Sequence, residues 1–154
     1  MQKNLQIERA VKADVRVVAE LAILMWEEHT VEELAEELKE VIDSTEGVVF
    51  LAKVDGQAAG FAQCQIRHDY VEGTGSSPVG YLEGIFVNEA FRKQGVAKEL
   101  LSACEAWARE QGCTEFASDC ELTNQTSFEF HMKSGFEEAN RIICFTKKLT
   151  TFII

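Results

Sequence analysis

Glu83 interrupts Tyr81-Leu82-Glu83-Gly84-Ile85-Phe86-Val87, a run otherwise apolar and strand-like in composition. A carboxylate in a buried strand loses its hydration, so it is either paired with an Arg or Lys or used as a proton acceptor. Asp119 closes the next strand-like stretch, Thr114 to Asp119, and is the second acid in such a position. Between them lies Arg92-Lys93-Gln94-Gly95-Val96-Ala97, which opens a helical pattern. The first N–H groups of a helix lack internal partners and sit at the positive end of its dipole, so they can hold a pyrophosphate. Gly95 and Ala97 leave room for phosphate oxygens to approach the chain. The hexapeptide is neither a Walker loop nor a G-x-G-x-x-G turn, so nucleoside triphosphates and NAD are not indicated.

These residues need elements to position them, and the periodicity supplies a set. Leu5 and Ile7 mark a short first strand. Asp14 stands at the start of a helix that carries Val15, Val18, Leu21, Ala22, Met25 and Trp26 on one side. A second helix opens at Thr30, where Thr30 and Glu33 form a capping-box pattern, with Val31, Leu34, Leu38 and Val41 inward. From Val48 the period becomes that of strands: 48–54, a tight turn at Asp55-Gly56, a return over 58–69, then 81–87. A helix from Gln94 to Gly112 shows Leu100, Leu101, Cys104 and Trp107 on its packing side. The strand at 114–119, a helix from Asn124 to Ser134 and a final strand from Arg141 to Lys148 complete the order. This is an α/β (α+β) arrangement, a mixed central sheet flanked by helices, in one domain over residues 1–149 with a tail at 150–154.

Composition narrows the partners. The 154 residues carry 26 acidic against 15 basic side chains, a formal charge of −11. DNA or RNA would meet a repulsive field, whereas a polycation would be attracted. An acidic surface also serves solubility alone. No apolar segment has the length of a membrane span or the form of a signal peptide, so a cytoplasmic protein without a membrane partner is expected. Five cysteines, an odd number without a C-x-x-C pair, argue against a disulfide framework and against a metal site, and read as reduced, mostly buried thiols.

The hexapeptide at 92–97 resembles the acetyl-CoA motif of the GNAT superfamily of acetyltransferases, Arg/Gln-x-x-Gly-x-Gly/Ala after a central strand. Asn124-x-x-Ser127-x-x-x-His131-x-x-x-Gly135-Phe136 is similar to the GNAT helix that contacts the pantetheine arm. Within that superfamily, Ile66-Arg67-His68-Asp69-Tyr70-Val71, Ser76-Ser77-Pro78, Leu82 to Val87 and Ala117-Ser118-Asp119 resemble the dimeric chromosomal aminoglycoside 6'-N-acetyltransferases, over Trp26 to about Lys148.

The resemblance implies a GNAT fold, acetyl-CoA as cosubstrate without a metal, an aminoglycoside as acceptor, antibiotic resistance as the consequence, and a homodimer. An amine with a pKa of about 10.4 is neutral in only about four molecules per ten thousand at pH 7, a deficit of about 4.6 kcal/mol. The site therefore needs a proton acceptor and a cation holder, for which Glu83 and Asp119 are the candidates, Glu83 as base and Asp119 as anchor. Trp26 and Tyr70 match positions that line the antibiotic site; from spacing alone Trp26 reads as core. Backbone groups of Phe86 and Val87 are expected to pair with the pantetheine, Gln94, Gly95, Val96, Ala97 and Lys98 to hold the pyrophosphate, and Asn124 to bond the arm. His131 stands where many superfamily members have a tyrosine often given the job of protonating the leaving thiolate; either His131 donates that proton here or the thiolate leaves unprotonated. Asn140 stands where relatives can carry an acid. Cys120 beside Asp119 would be an acetyl acceptor only with an adjacent base, so direct attack by the amine is expected.

Two other readings remain: a GNAT enzyme acting on a polyamine or a protein amino group, and a non-catalytic acyl-CoA sensor. A turn at Gly95 blocked to a diphosphate, or a Glu83 carboxylate pointing away into an ion pair, would overturn the transferase reading.

Overall fold

A computed structural model describes residues 4–150. Five strands form one mixed sheet in the order β1 (Leu5–Arg9), β2 (Gly47–Val54), β3 (Gln57–Arg67), β4 (Val79–Val87) and β5 (Phe116–Ser118). Neighbours are antiparallel except β4 and β5, which run parallel. A parallel pair requires a crossover, and α3 (Val96–Glu110) provides it. The other helices are α1 (Val15–Ala22), α2 (Val31–Asp43) and α4 (Gln125–Lys133).

Alternation along the strands divides the core into two layers. Val49, Leu51 and Phe61 pack with Val18, Leu34 and Leu38 of α1 and α2. Val48, Cys64 and Leu82 on the opposite face pack with Leu100, Cys104 and Trp107 of α3. The Asp55-Gly56 turn has φ of 50° and 81°, the doubly positive form that matches the strand twist of a two-residue hairpin. Thr30 caps α2 as its sequence indicates, its Oγ1 accepting the Glu33 N–H at 3.1 Å.

Several expectations are corrected. Asp14 occupies the N-cap position of α1 but does not cap it; its carboxylate accepts from the Val11 N–H at 2.9 Å, closing a 3-10 turn that precedes the helix. Met25 and Trp26 lie beyond the end of α1, in turns held by N–H bonds back to the Ala22 carbonyl. The strand expected over Arg141 to Lys148 is not formed. These residues are exposed and carry no element, because β5 is only three residues long and offers too short an edge within one chain to pair with them. The tail placed at 150–154 falls outside the described residues beyond Thr150, which is exposed. Cys64, Cys104 and Cys113 are buried free thiols, whereas Cys120 and Cys144 are exposed. The Cys64 thiol is pushed far up by its hydrogen bond with Cys104 and by burial, so it stays protonated and inert. No described helix is long and apolar enough to cross a membrane.

Phe61 is fully buried between the sheet and the α1–α2 layer and meets the Trp26 ring edge-on at 5.9 Å. Phe61→Ala is expected to cost about 3–5 kcal/mol, and Thr30→Ala about 1 kcal/mol, in urea melts. Equal effects of the two would contradict this account of where the stability resides.

Candidate active site

The site begins with a slip of register. Gln63 of β3 faces Gly84 of β4, but the next residue, Cys64, faces Leu82. Glu83 is therefore the extra residue of a β-bulge, and a bulged residue leaves the ladder and bends its strand. On the other side of β4, pairing with β5 runs only from Gly80, Tyr81 and Leu82 to Phe116, Ala117 and Ser118. Beyond Leu82 the parallel strands part, leaving Glu83 to Val87 with an open edge toward the cleft. Glu83 stands at the point of parting, and Asp119 follows the last paired residue of β5. The cleft thus brings the two expected carboxylates to its mouth.

Glu83 is not free. One nitrogen of Arg67, Nη2, donates to both of its oxygens at 2.6 and 2.9 Å. The guanidinium lies 3.5 Å from the centre of the Tyr81 ring, and the Tyr81 hydroxyl donates to Asp119. Burial and that hydrogen bond raise the Tyr81 phenol well above its ordinary range, so it remains a donor at any working pH. Tyr81 and Glu83 therefore belong to one network, Glu83–Arg67–Tyr81–Asp119. The ion pair expected to count against Glu83 is present. Its partner Arg67 also stacks on the Tyr81 ring and so ties Glu83 to the network that ends at Asp119.

Trp26 reconciles its two sequence readings. Its ring stacks where a Cβ on Gly84 would come within 2.7 Å of it, so Gly84 is required for this contact, and the ring is only partly buried. It is at once an outer piece of core and a wall beside Glu83. Tyr70 is 76% exposed, its hydroxyl 3.5 Å from a Glu72 oxygen; it is not in contact with either carboxylate. Its loop is nevertheless anchored next to the network: Val71 is buried against Val79 and Tyr81. Asn140 donates to Glu72 at 3.0 Å. Farther along, Glu115 accepts from the Ser76 hydroxyl at 2.5 Å and the Gly75 N–H at 2.9 Å. These bonds hold the Glu115 carboxyl below its usual range, so the tether persists through that range as pH falls and is lost only below it.

The cofactor side is a groove of about 550 Å³. Lys93 and Gly95 have φ of 63° and 80°, so the turn presents its amides as a concavity before α3 begins at Val96. A Cβ on Gly95 would meet no protein atom, so that side of the turn is open to a ligand. Val96 is buried and anchors the helix, and with Ala97, Lys98 and Val87 it lines the groove. Arg92, Lys93 and Lys133 add positive charge there. Arg92 Nε donates to the Val87 carbonyl at 3.0 Å, which takes up one backbone group expected for the pantetheine; Phe86, one residue back, is paired with Phe61 and turns its carbonyl toward Gly60 of β3. Gln94 is exposed in the turn. The residues fit a diphosphate: a positive helix end, an open concavity and four nearby cations.

Asn124 caps α4, its Oδ1 accepting from the Ser127 N–H at 3.1 Å. That commits the carbonyl oxygen and leaves the amide donors for a ligand. His131 bridges α4 and β5: Nδ1 contacts the Ser127 carbonyl at 2.7 Å and Nε2 the Ser118 hydroxyl at 2.8 Å. A carbonyl only accepts, so Nδ1 carries a proton. Ser118 in turn donates to the Leu82 carbonyl at 3.2 Å. His131 thereby ties α4 to β5 through Ser118.

Arg67, Tyr81 and Ser118 were given no role by sequence reasoning. Tyr81 was legible, because residues two apart on a strand share a face and Glu83 was already singled out. Arg67 was not, since only the β3–β4 register places it there. Among the described residues, no three His, Cys, Asp or Glu gather closely enough to hold a metal ion.

Comparison with known proteins agrees with this geometry. The family model described as Acetyltransferase (GNAT) family matches residues 18–136. The chain is 41% identical over 144 residues to an aminoglycoside N(6')-acetyltransferase type 1 of Stenotrophomonas maltophilia, covering 93% of each. It is 43% identical to that of Salmonella typhimurium, over 80% of this chain and 86% of the relative. The structure of the aminoglycoside N-acetyltransferase AAC(6')-Iy in complex with CoA superposes with a TM-score of 0.93 at 38% identity, over 97% of this chain and 98% of that one. The same enzyme with a bisubstrate analogue, CoA-S-monomethyl-acetylneamine, gives 0.90 at 38% identity, over 95% and 99%. With its bulged central strand, parted sheet and diphosphate turn matched along nearly its whole length, this chain belongs to the GNAT family of acetyltransferases.

Proposed function

We propose that this protein is an aminoglycoside 6'-N-acetyltransferase, moving acetyl from acetyl-CoA to the 6'-amino group by direct attack in a ternary complex and so conferring resistance. The observation that carries the reading is the cleft where β4 and β5 part. It has a cationic diphosphate seat on one side and two carboxylates on the other. Relatives named for this activity, about 40% identical over most of their length, support it.

Gln94, Gly95, Val96, Ala97 and Lys98 hold the cosubstrate pyrophosphate, while β4 at Phe86 and Val87 and the Asn124 amide guide its arm. Acetyl-CoA supplies the activated acetyl group. The bulge directs an unpaired β4 amide toward the developing oxyanion. Glu83 accepts the proton of the ammonium, directly or through water, and Asp119 with Tyr81 anchors the substrate. Trp26 and Tyr70 offer aromatic faces to the sugar rings. His131, braced by Ser118, donates a proton to the leaving thiolate. The acidic surface draws in a polycation, and the expected setting is the cytoplasm.

Thiol release from acetyl-CoA tests this with kanamycin, a 6'-hydroxyl aminoglycoside and spermidine in parallel. Turnover is expected with kanamycin alone, reduced at least about tenfold in Glu83→Gln. Equal turnover of spermidine would favour the reading as a general amine acetyltransferase, and no release with any of them a sensor.

The domain spans residues 1–149, with 150–154 as its tail, and functions as a homodimer. Ile142, Ile143, Phe145 and Leu149 are between 67% and 90% exposed, an apolar arm that a single chain leaves uncovered. Sedimentation is expected to give a dimer, and Ile143→Asp combined with Phe145→Asp a monomer; a wild-type monomer would refute this.

A further inference from the structure

Around Arg67 the groups that would bind an organic ammonium are already assembled, and a side chain of the protein occupies them. The guanidinium is held by the Glu83 carboxylate on one side and the Tyr81 π face on the other, with Asp119 at the far end of that ring. Two features make this occupant displaceable. Arg67 is the last residue of β3, and its side chain is 44% exposed against 17% for Glu83. A single nitrogen also meets both carboxylate oxygens, without the two parallel bonds that make bidentate arginine pairs strong.

We propose that Arg67 is a resident surrogate for the substrate ammonium. It neutralises and orients Glu83 while the site is empty of substrate, and the incoming ammonium takes its seat as the guanidinium swings outward. This rests on the reading that Glu83 receives the acceptor amine. Arg67 is then a specificity-determining residue. Every substrate must break the Arg67–Glu83 pair to enter. A polycation offsets that cost through simultaneous contacts with Asp119 and the acidic surface, and an amine with a single charge does not. The arginine thereby selects polyamino acceptors over simple amines.

Steady-state kinetics of Arg67→Ala and Arg67→Met test the idea, the methionine keeping an apolar stem over Tyr81 should alanine prove unstable. The KM for kanamycin is expected to fall about threefold to tenfold, with kcat within about threefold of wild type. A 6-amino-6-deoxyhexose, with one positive charge, is expected to become a measurable acceptor in the variants only. Methylguanidinium at millimolar concentration is expected to compete with kanamycin in Arg67→Ala and to leave the wild type unaffected. A raised KM with lowered kcat, restored by methylguanidinium, would overturn the proposal and make Arg67 a fixed clamp that positions Glu83. Absence of kanamycin turnover by the wild type would be a failure of the functional reading instead. Calorimetric titration of Arg67→Ala with methylguanidinium tests the cation seat without any turnover, and absence of binding there would overturn the proposal.

Discussion

Everything in this protein that bears on function depends on two parallel strands being paired for three residues and then separating. Backbone N–H and C=O groups ordinarily find partners, and an open edge is a liability that folds cover or blunt. Here the edge of β4 from Glu83 onward is left open inside the molecule, because the extra residue at the bulge bends β4 while β5 ends at Ser118. The rest of the sheet tolerates the rupture because two buried layers hold it. The α1–α2 layer packs one face and α3 the other, with Phe61, Leu82 and Leu100 almost completely enclosed. The strand carrying the rupture is therefore fixed on both faces, and the opening keeps its shape without a ligand.

Charge is distributed to match that opening. The chain carries a formal −11, yet the groove at the start of α3 gathers Arg92, Lys93, Lys98 and Lys133. The groove is thus locally cationic on a chain whose net charge is negative. Where β4 and β5 part lies the Glu83–Arg67–Tyr81–Asp119 network. There a carboxylate, a guanidinium, an aromatic face and a second carboxylate alternate over neighbouring side chains. Each acid has a donor or cation beside it, Arg67 for Glu83 and the Tyr81 hydroxyl for Asp119. The alternation also supplies the groups that an amine must meet.

The segment after α4 obeys a different constraint. Its apolar run Ile142-Ile143-Cys144-Phe145 reads as a strand, and within one chain it forms none. Strand pattern specifies a face to bury, and burial requires a neighbour with a matching edge. The three residues of β5 do not provide one. The homodimer proposed above would supply such a neighbour for the exposed Ile142, Ile143 and Phe145.

Helices and strands whose burial is periodic were legible along the chain, as at α2, where Thr30 and Glu33 mark the cap, or at the Asp55-Gly56 turn. The diphosphate turn was legible too, because a helix start is a local event governed by a few adjacent residues. Glu83 and Asp119 could be singled out as acids at strand positions. Only the tertiary structure decided what they touch. Arg67 reaches Glu83 across sixteen residues of sequence through the β3–β4 register, and His131 meets Ser118 by the docking of α4 against β5. The same holds for Trp26, which periodicity assigned to a helix and which instead leaves it to wall the site at Gly84. Sequence spacing records which side of an element a residue faces. The register of one strand against another, and a one-residue slip within it, is set by the sum of packing over both faces of the sheet.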